Sequence, residues 1–421
     1  MIEKTPSSKP NRRQFLATSG AVIAGAASPS RWTAASSRRV PGANDRVRIG
    51  VIGCGGMGTG HIRQLVGGDR KLASMTNSDI TAVAEIYKPR LERAIGICGG
   101  KGFHDYRELM ASDLVDAVIV TAPEHWHYRM ALDATQAGLD IYLQKAMTRT
   151  FDEARSLYKE VKRSDRIFQV GSQYMQAPSW KRAKQLYEMG QLGQVTFCQT
   201  SYCRNSRGGE WNYEIDEGVE PGKNLDWKAY LGSLPYMDYD PEYYFRWRKY
   251  RAFSAGVITD LMPHKLHCLH YVLGTRYPTR VTALGGIYVH PDREVADMNL
   301  ISIEYDGYTM LFAGSTCNEV GLEDLIRGHR GNLYIGSNSV RLTPERTYAD
   351  DFDPIEEKVE PAQMGNHQMH LKEWIEAIRS RKQPTWSIEP AFQVMTAIAM
   401  AEQAYFKKRT VEFDAEKLEI I

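Results

Sequence analysis

The stretch "RVRIGVIGCGGMGTGHIRQL", Arg46 to Leu65, decides the fold. It opens with a short apolar, β-rich run, passes through a glycine-rich turn and continues in the pattern of a helix. Gly53, Gly55 and Gly58 stand in the order G-x-G-x-x-G around Met57. The first glycine permits a tight turn, the second lets a pyrophosphate lie against bare backbone, and the third lets helix and strand pack closely. The helix N-terminus then faces the phosphates with its free N–H groups.

Working outward, further strands read in "DITAVAEI" (Asp79 to Ile86), "DAVIVTAP" (Asp116 to Pro123), "DIYLQK" (Asp140 to Lys145) and "IFQVGSQ", with helical patterns between them. Apolar runs without period-2 alternation predict a parallel sheet covered on both faces, a doubly wound Rossmann domain over residues 46–172. Glu85 ends the second strand, where its carboxylate can accept from the ribose hydroxyls of an adenosine. It lies further past Gly58 than the usual spacing of about 20, and the loop "VGGDRKLASMTNSD" accounts for the excess. A carboxylate there repels a 2′-phosphate, which favours NAD over NADP, although Lys88 and Arg90 stand nearby. "TAPEHWH" places Thr121 and Pro123 along the adenosine side. His127 reads either as a cofactor contact or as part of an ordinary strand-to-helix turn.

At 421 residues the chain suits two domains better than one. Residues 173–421 form the second, an α/β domain whose stretches "PTRVTALGGIYV", "NLISIEYDGYTMLFAGS" and "GNLYIGSNSVRLTP" predict an open, mostly antiparallel sheet. Between Tyr202 and Ser254 the text is rich in Trp, Tyr, Gly, Pro and Arg without a sustained period, which predicts long loops with short helices. The formal net charge is +2 with 25% charged residues, so no field gathers nucleic acid or an anionic membrane. A small molecule is the expected partner. Six scattered cysteines without CxxC spacing give no disulfide framework.

Residues 1–40 stand apart. Arg12 and Arg13, then Phe15, Leu16 and a mildly apolar small-residue run to Ala27, resemble a twin-arginine export signal. The run is too short to span a bilayer, and no membrane span is expected in the mature protein. The expectation is export by the twin-arginine route, to a periplasmic or secreted location; a disordered basic tail is the alternative.

"GVITDLMPHKLHCLHYVLG", Gly256 to Gly274, carries Asp260, His264, His267 and His270 in an otherwise apolar helix. With a start near Thr259 or Asp260, Pro263 falls in the first turn, where a missing N–H costs little. At about 100° per residue, positions 260, 264 and 267 share one face. Histidine is the side chain suited to take a hydroxyl proton near neutral pH. An H-x-x-H pair with an aspartate also fits zinc or manganese, but metalloprotease helices space their histidines by four around a glutamate, so no metal is expected. His267 and His270 read equally as core histidines. Gln173 and Tyr174 follow a strand end facing the cleft, and "YYFRWRKY" offers Arg248; planar donors and aromatic faces suit a sugar ring.

The glycine turn, "TAPEHWH", "YLQKAMT", "DWKAYLG", "GVITDLMPH", "RSRKQP" and "VEFD", in this order, resemble the glucose-fructose oxidoreductase, inositol dehydrogenase and rhizopine-catabolism family, Gfo/Idh/MocA. The resemblance covers nearly everything after Arg46. It implies a substrate domain whose open sheet often mediates oligomers, hence a homodimer or homotetramer, and hydride transfer at a secondary hydroxyl of a sugar or cyclitol. It further implies that Lys145 touches both cofactor and reacting oxygen, that His264 is the base, and that Asp260 orients it or binds a neighbouring hydroxyl. Gln144 and Ala146 stand where the family usually has glutamate and proline.

An exported member has no free NAD pool to draw on. The chemistry is then either net oxidation or reduction of a carbohydrate, or redox-neutral glycoside cleavage with tightly bound NAD, as in the NAD-dependent α-N-acetylgalactosaminidases. The latter needs a second proton acceptor, for which His267 or Tyr174 is available. A non-catalytic sugar-binding protein is the remaining class, and it has no need for Lys145, Asp260 and His264 together.

Overall fold

The computed structural model describes residues 45–67 and 72–421. The leader expected over residues 1–40, with Arg12 and Arg13, lies outside the described residues. Strands β1 (Val47–Ile52), β2 (Ser78–Ala84), β3 (Lys101–Phe103), β4 (Ala117–Val120), β5 (Asp140–Gln144) and β6 (Phe168–Gly171) form a parallel sheet in the order β3-β2-β1-β4-β5-β6. Every residue of β4 and β5 is buried, because helices cover both faces. β3 escapes a reading from sequence since three residues carry no period. Strand order reverses between β1 and β4, and the carboxyl ends of these two open a crevice.

Helix α1 (Gly56–Val66) begins in the glycine turn, α2 (Glu124–Gln136) follows β4, and α3 (Phe151–Arg163) follows β5. A capping box fixes the start of α3: Thr150 accepts from the Glu153 N–H while the Glu153 carboxylate accepts from the Thr150 N–H.

The second domain is built on an 11-stranded sheet. Its centre is β7 (Val195–Asn205), β8 (Arg280–Gly286), β9 (Met298–Tyr305) and β10 (Tyr308–Ser315). β7 and β10 run parallel; β10 with β9 and β9 with β8 are antiparallel. Burial alternates along β9 and β10, so one face packs inward and the other faces solvent. Helices α4 (Met262–Leu273) and α6 (Ile388–Lys407) pack on the inner face.

Two features differ from the reading of the sequence. Tyr202 to Asn205, expected in an irregular region, complete β7. Helix α5 (Asn366–Ser380) sits late in the chain but packs Leu371, Trp374 and Ile375 against Val47, Ile49 and Val51 of the first sheet, so sequence order does not divide the two cores. The aromatic middle has no period because its core is a cluster of rings. Trp227, Tyr230, Tyr244, Phe245 and Phe253 pack with Tyr87, and backbone bonds Lys88 N to Asn224 O (2.8 Å) and Asp226 N to Ile86 O (3.2 Å) tie it to the end of β2. Among the described residues no helix is long and apolar enough to cross a membrane.

Two of the three glycines of α1, Gly58 and Gly60, make opposite predictions. A Cβ on Gly58 would stand 2.0 Å from the Gly53 carbonyl oxygen, whereas at Gly60 nothing lies within 4 Å. Gly58→Ala is expected to destabilise by about 1–3 kcal/mol through overpacking against backbone. Gly60→Ala is expected to stabilise by up to about 1 kcal/mol through helix propensity. Urea unfolding of the two variants checks both signs.

Candidate active site

The carboxyl ends of the first sheet and the head of α4 line one cleft of about 1450 Å³ that reaches back to the glycine turn. Lys145, immediately after β5, donates from Nζ to Asp260 Oδ1 (2.5 Å) and to the Asp260 carbonyl (2.8 Å). Asp260 lies in a π-helical turn, Val257–Leu261, that leads into α4. That wider turn lets Asp260 point at Lys145. Gly256 starts it at φ 60, with Val295 only 2.5 Å from where a Cβ would be. Two further donors reach the same carboxylate: Arg248 Nε to Oδ1 (2.9 Å) and Trp211 Nε1 to Oδ2 (3.2 Å). Burial alone would raise the Asp260 pKa, but the charges of Arg248 and Lys145 and their hydrogen bonds overcome it and hold the carboxyl far below its ordinary range.

One turn further on, His264 lines the cleft with its ring stacked on Tyr174 (4.6 Å between centroids) and edge-on to Tyr202 (5.6 Å). Burial, reinforced by the Lys145 charge, pushes its pKa well below the usual histidine value, so the ring is neutral and able to accept a proton. The Tyr174 and Tyr202 hydroxyls share a hydrogen bond (2.8 Å), and Arg204 Nη2 donates to the Tyr202 oxygen (2.5 Å). Gln173 lines the cleft nearby, with Oε1 buried and without a hydrogen-bond partner.

The glycine turn fits a dinucleotide. Gly53 has φ +85 and a Cβ there would meet Ala122 N at 2.8 Å, while a Cβ on Gly55 would have only Arg90 Nη1 within reach, at 3.6 Å. Backbone is therefore bare where a pyrophosphate lies. Thr121 Oγ1 donates to the carbonyls of Ile52 (3.1 Å) and Gly53 (2.5 Å), which holds the turn against β4. Glu85 Oε2 accepts from Cys54 N (2.7 Å) and Oε1 from Tyr87 N (3.0 Å), placing the carboxylate at the cleft beside the turn. Met57 and Pro123 line the same wall, as does Arg90, whose guanidinium sits 5.0 Å over the Tyr244 ring. Gly58 belongs to the packing of helix on strand.

One expected contact, His267, is corrected, and two others, His127 and Arg248, line the cleft while engaged with protein partners. His127 braces two strand ends while its ring lines the cleft: Nδ1 lies 2.6 Å from Ala146 O and Nε2 2.8 Å from Ala122 O, and since burial holds the ring neutral its single N–H donates to one of these carbonyls. His267 shares a helical face with His264 but lies about 4.5 Å deeper along the axis. There Nδ1 bonds to Pro263 O (2.6 Å) and the ring packs edge-on against Trp386, so it touches neither substrate nor a metal. Arg248 does line the cleft, but its first partner is Asp260. Among the described residues no cluster of three or more His, Cys, Asp or Glu is arranged for a metal ion. Trp211, Tyr202 and Arg204 were not singled out from the sequence. The alternation of Tyr202 and Arg204 along "SYCRN" was the signal for the last two, whereas Trp211 arrives from a loop with φ 67 and had none.

Residues 47–172 match the oxidoreductase family's NAD-binding Rossmann fold, and residues 184–413 match its C-terminal alpha/beta domain. The chain belongs to the Gfo/Idh/MocA oxidoreductase family. Its first domain is therefore NAD-binding. A scyllo-inositol 2-dehydrogenase (NAD(+)) of Bacillus subtilis (strain 168) is 23% identical over 386 residues, 88% of this chain and 98% of that protein. A glycosyl hydrolase family 109 protein of Shewanella sp. (strain ANA-3) is 26% identical over 53% of this chain and 52% of its own. A levoglucosan dehydrogenase solved with NADH superposes with a TM-score of 0.68 at 18% identity, over 87% of this chain and 99% of the other, a likeness of fold. Against the Gfo/Idh/MocA pattern, Gln144 bonds the ring of His61 (2.7 Å), and burial pushes that histidine to about 3. A neutral amide suits a neutral imidazole in this buried position, where a carboxylate would need a cation.

Asp260→Asn removes the one carboxylate shared by Lys145 and Arg248, whose side chains are 10% and 19% exposed. Leaving buried cations unpaired is expected to cost about 3–5 kcal/mol in a denaturant midpoint series.

Proposed function

We propose that the protein oxidises or reduces a secondary hydroxyl of a sugar, sugar derivative or cyclitol with NAD. The observation that carries this reading is the convergence of Lys145, Asp260 and His264 in the cleft that contains the glycine turn. Bound NAD supplies the two-electron acceptor or donor. The Lys145 ammonium has three donors, of which Asp260 takes two, and the third serves the reacting oxygen. His264, kept neutral by burial, takes the hydroxyl proton in oxidation and returns it in reduction. Asp260 holds Lys145 in place and is not itself the base, since the charges of Arg248 and Lys145 hold its carboxyl far below the ordinary range. The Bacillus subtilis relative, a dehydrogenase of the cyclitol scyllo-inositol, supports the substrate class.

A second reading rests on Tyr174, Tyr202 and Arg204. They form a hydrogen-bonded arm against the ring of His264, and redox-neutral glycoside cleavage needs such an arm to remove the proton beside a transient ketone. The family 109 relative supports this reading over half of each chain. We further propose export by the twin-arginine route, on the strength of Arg12 and Arg13, and self-association through apolar side chains beside the second sheet. Leu284, Tyr288 and Val320 are 70%, 68% and 81% exposed there.

Four experiments test these readings. Denaturing the purified protein should release NAD or NADH, and a panel of cyclitols and glycosides should be turned over. Lys145→Met and His264→Leu are expected to lower kcat roughly 100- to 10,000-fold while nucleotide stays bound; absence of both nucleotide and turnover would instead favour a sugar-binding protein. In D2O, deuterium entering the carbon next to the reacting carbinol, and lost in Tyr174→Phe, marks the redox-neutral cycle; a net change in the oxidation state of the nucleotide without deuterium at that carbon marks net redox. Replacing Arg12 and Arg13 by lysine should leave precursor in the cytoplasm, read by cell fractionation.

A further inference from the structure

Arg248 lines the cleft but commits only one of its nitrogens to the protein. Nε donates to Asp260 Oδ1 (2.9 Å), while Nη1 and Nη2 have no hydrogen-bond partner among the described residues. A guanidinium carries five N–H groups, so four stay open. That open edge is held in one direction. The guanidinium carbon lies 4.2 Å from the centroid of the Trp247 ring, which fixes its plane. The next residue, Lys249, is 2% exposed and tied to Glu242 and Asp292 (2.8 Å each), which pins the short helical turn Trp247–Lys249. Arg248 is therefore a preset fork, the shape that meets both oxygens of a carboxylate. Neutralising Asp260 alone needs a cation but no open edge.

Charge points the same way. Lys145 and Arg248 donate to the same oxygen of Asp260, so ammonium and guanidinium stand side by side, and among the described residues no other carboxylate pairs with either. Two cations on one anion leave this end of the cleft positive. Arg204, a third cation on the wall, has its own carboxylate in Glu210 (3.5 Å). Glu124, behind the site, has its carboxyl pushed up to about 7 by burial and offsets the excess only in part. A neutral substrate leaves that charge unanswered, whereas an anion is drawn to it. Gln173 sets the other half of the requirement: it is 5% exposed, lines the same cleft, and its Oε1 has no partner. A hydroxyl satisfies that acceptor and a second carboxylate does not, so the ligand carries both kinds of group.

We propose that the substrate is a sugar acid, a polyhydroxylated chain or ring bearing one carboxylate, and that this carboxylate binds the Nη1 and Nη2 edge of Arg248. The adjacency of Lys145 and Arg248 sets the spacing, since the oxygen held by Lys145 and the carboxylate held by Arg248 must lie close together. The reacting carbinol is then the first or second carbon beyond the carboxylate. The carboxylate is a handle: it stays ionised and forms or breaks no covalent bond. For its reacting centre the inference rests on the carbinol reading above; for the charge of the ligand it rests on Arg248.

Matched pairs test this on the purified NAD-loaded protein: D-gluconate against D-glucitol, D-glucuronate against D-glucose, and D-galacturonate against D-galactose. Within each pair only the carboxylate differs. Turnover is read from nicotinamide absorbance, and binding from quenching of tryptophan fluorescence, with Trp247 beside the fork. At least one acid should show a KM and a dissociation constant roughly 10- to 100-fold below those of its neutral partner, the worth of a charge-assisted hydrogen-bonded pair. Arg248→Lys keeps a cation for Asp260 but removes the fork. It should raise KM for that acid by a similar factor, with kcat and the neutral partner's KM little changed. Neutral sugars bound as tightly as their acids overturn the inference, as does failure of every acid to bind, or an acid preference that Arg248→Lys leaves intact. Should that variant not fold, the matched pairs in the wild type decide. Protein that neither carries nor binds NAD fails the carbinol reading, and the fluorescence titration still judges the anionic handle.

Discussion

A single carboxylate joins the two halves of this protein. Asp260 accepts from Lys145 at the end of the first sheet and from Arg248 and Trp211 in the second domain. Each of the four groups alone would be costly to bury, and the cost falls only when all are satisfied together. The π turn that presents Asp260, the loop that brings Trp211 at positive φ and the segment that brings Arg248 are therefore mutually dependent. The tie extends one residue further: Asn212, next to Trp211, accepts from Lys249, next to Arg248, at 2.8 Å. Lys249 is itself 2% exposed and held by Glu242 and Asp292.

Around this tie, burial and charge sort the acid–base groups. Two cations on one carboxylate oxygen keep Asp260 ionised and make the site locally positive, which suits a developing alkoxide. The same positive charge, added to burial, keeps His264 neutral and thus available as a proton acceptor. Glu124 responds in the opposite sense because burial penalises its charged form, with Asp260 adding to the rise and Arg149 opposing it, which pushes the carboxyl up to about 7. Environment, more than residue type, divides the labour among three ionisable groups that lie close together.

The first domain was legible because its rules are local. A glycine turn between strand and helix, apolar strands at regular spacing and a carboxylate at the end of β2 need only nearest neighbours in sequence to be understood. His264 was legible for a similar reason, as the end of a helical face nearest the cleft. His267 was not: periodicity gives an angle around the helix axis but no depth along it, and depth placed that ring against Trp386. His127 illustrates the same limit, since nothing in "TAPEHWH" reveals that both neighbouring carbonyls would turn toward its ring.

By itself the sequence determined the architecture, the seat of the dinucleotide and the identity of the lysine, aspartate and histidine that meet in the cleft. Tertiary structure alone decided how those three are held, through Trp211, Arg204 and Tyr202. These residues come from a loop and a strand end whose sequence positions bear no periodic relation to Lys145. Their roles are set by burial and by partners far away in the chain, and desolvation is a property of the folded neighbourhood that no local pattern encodes.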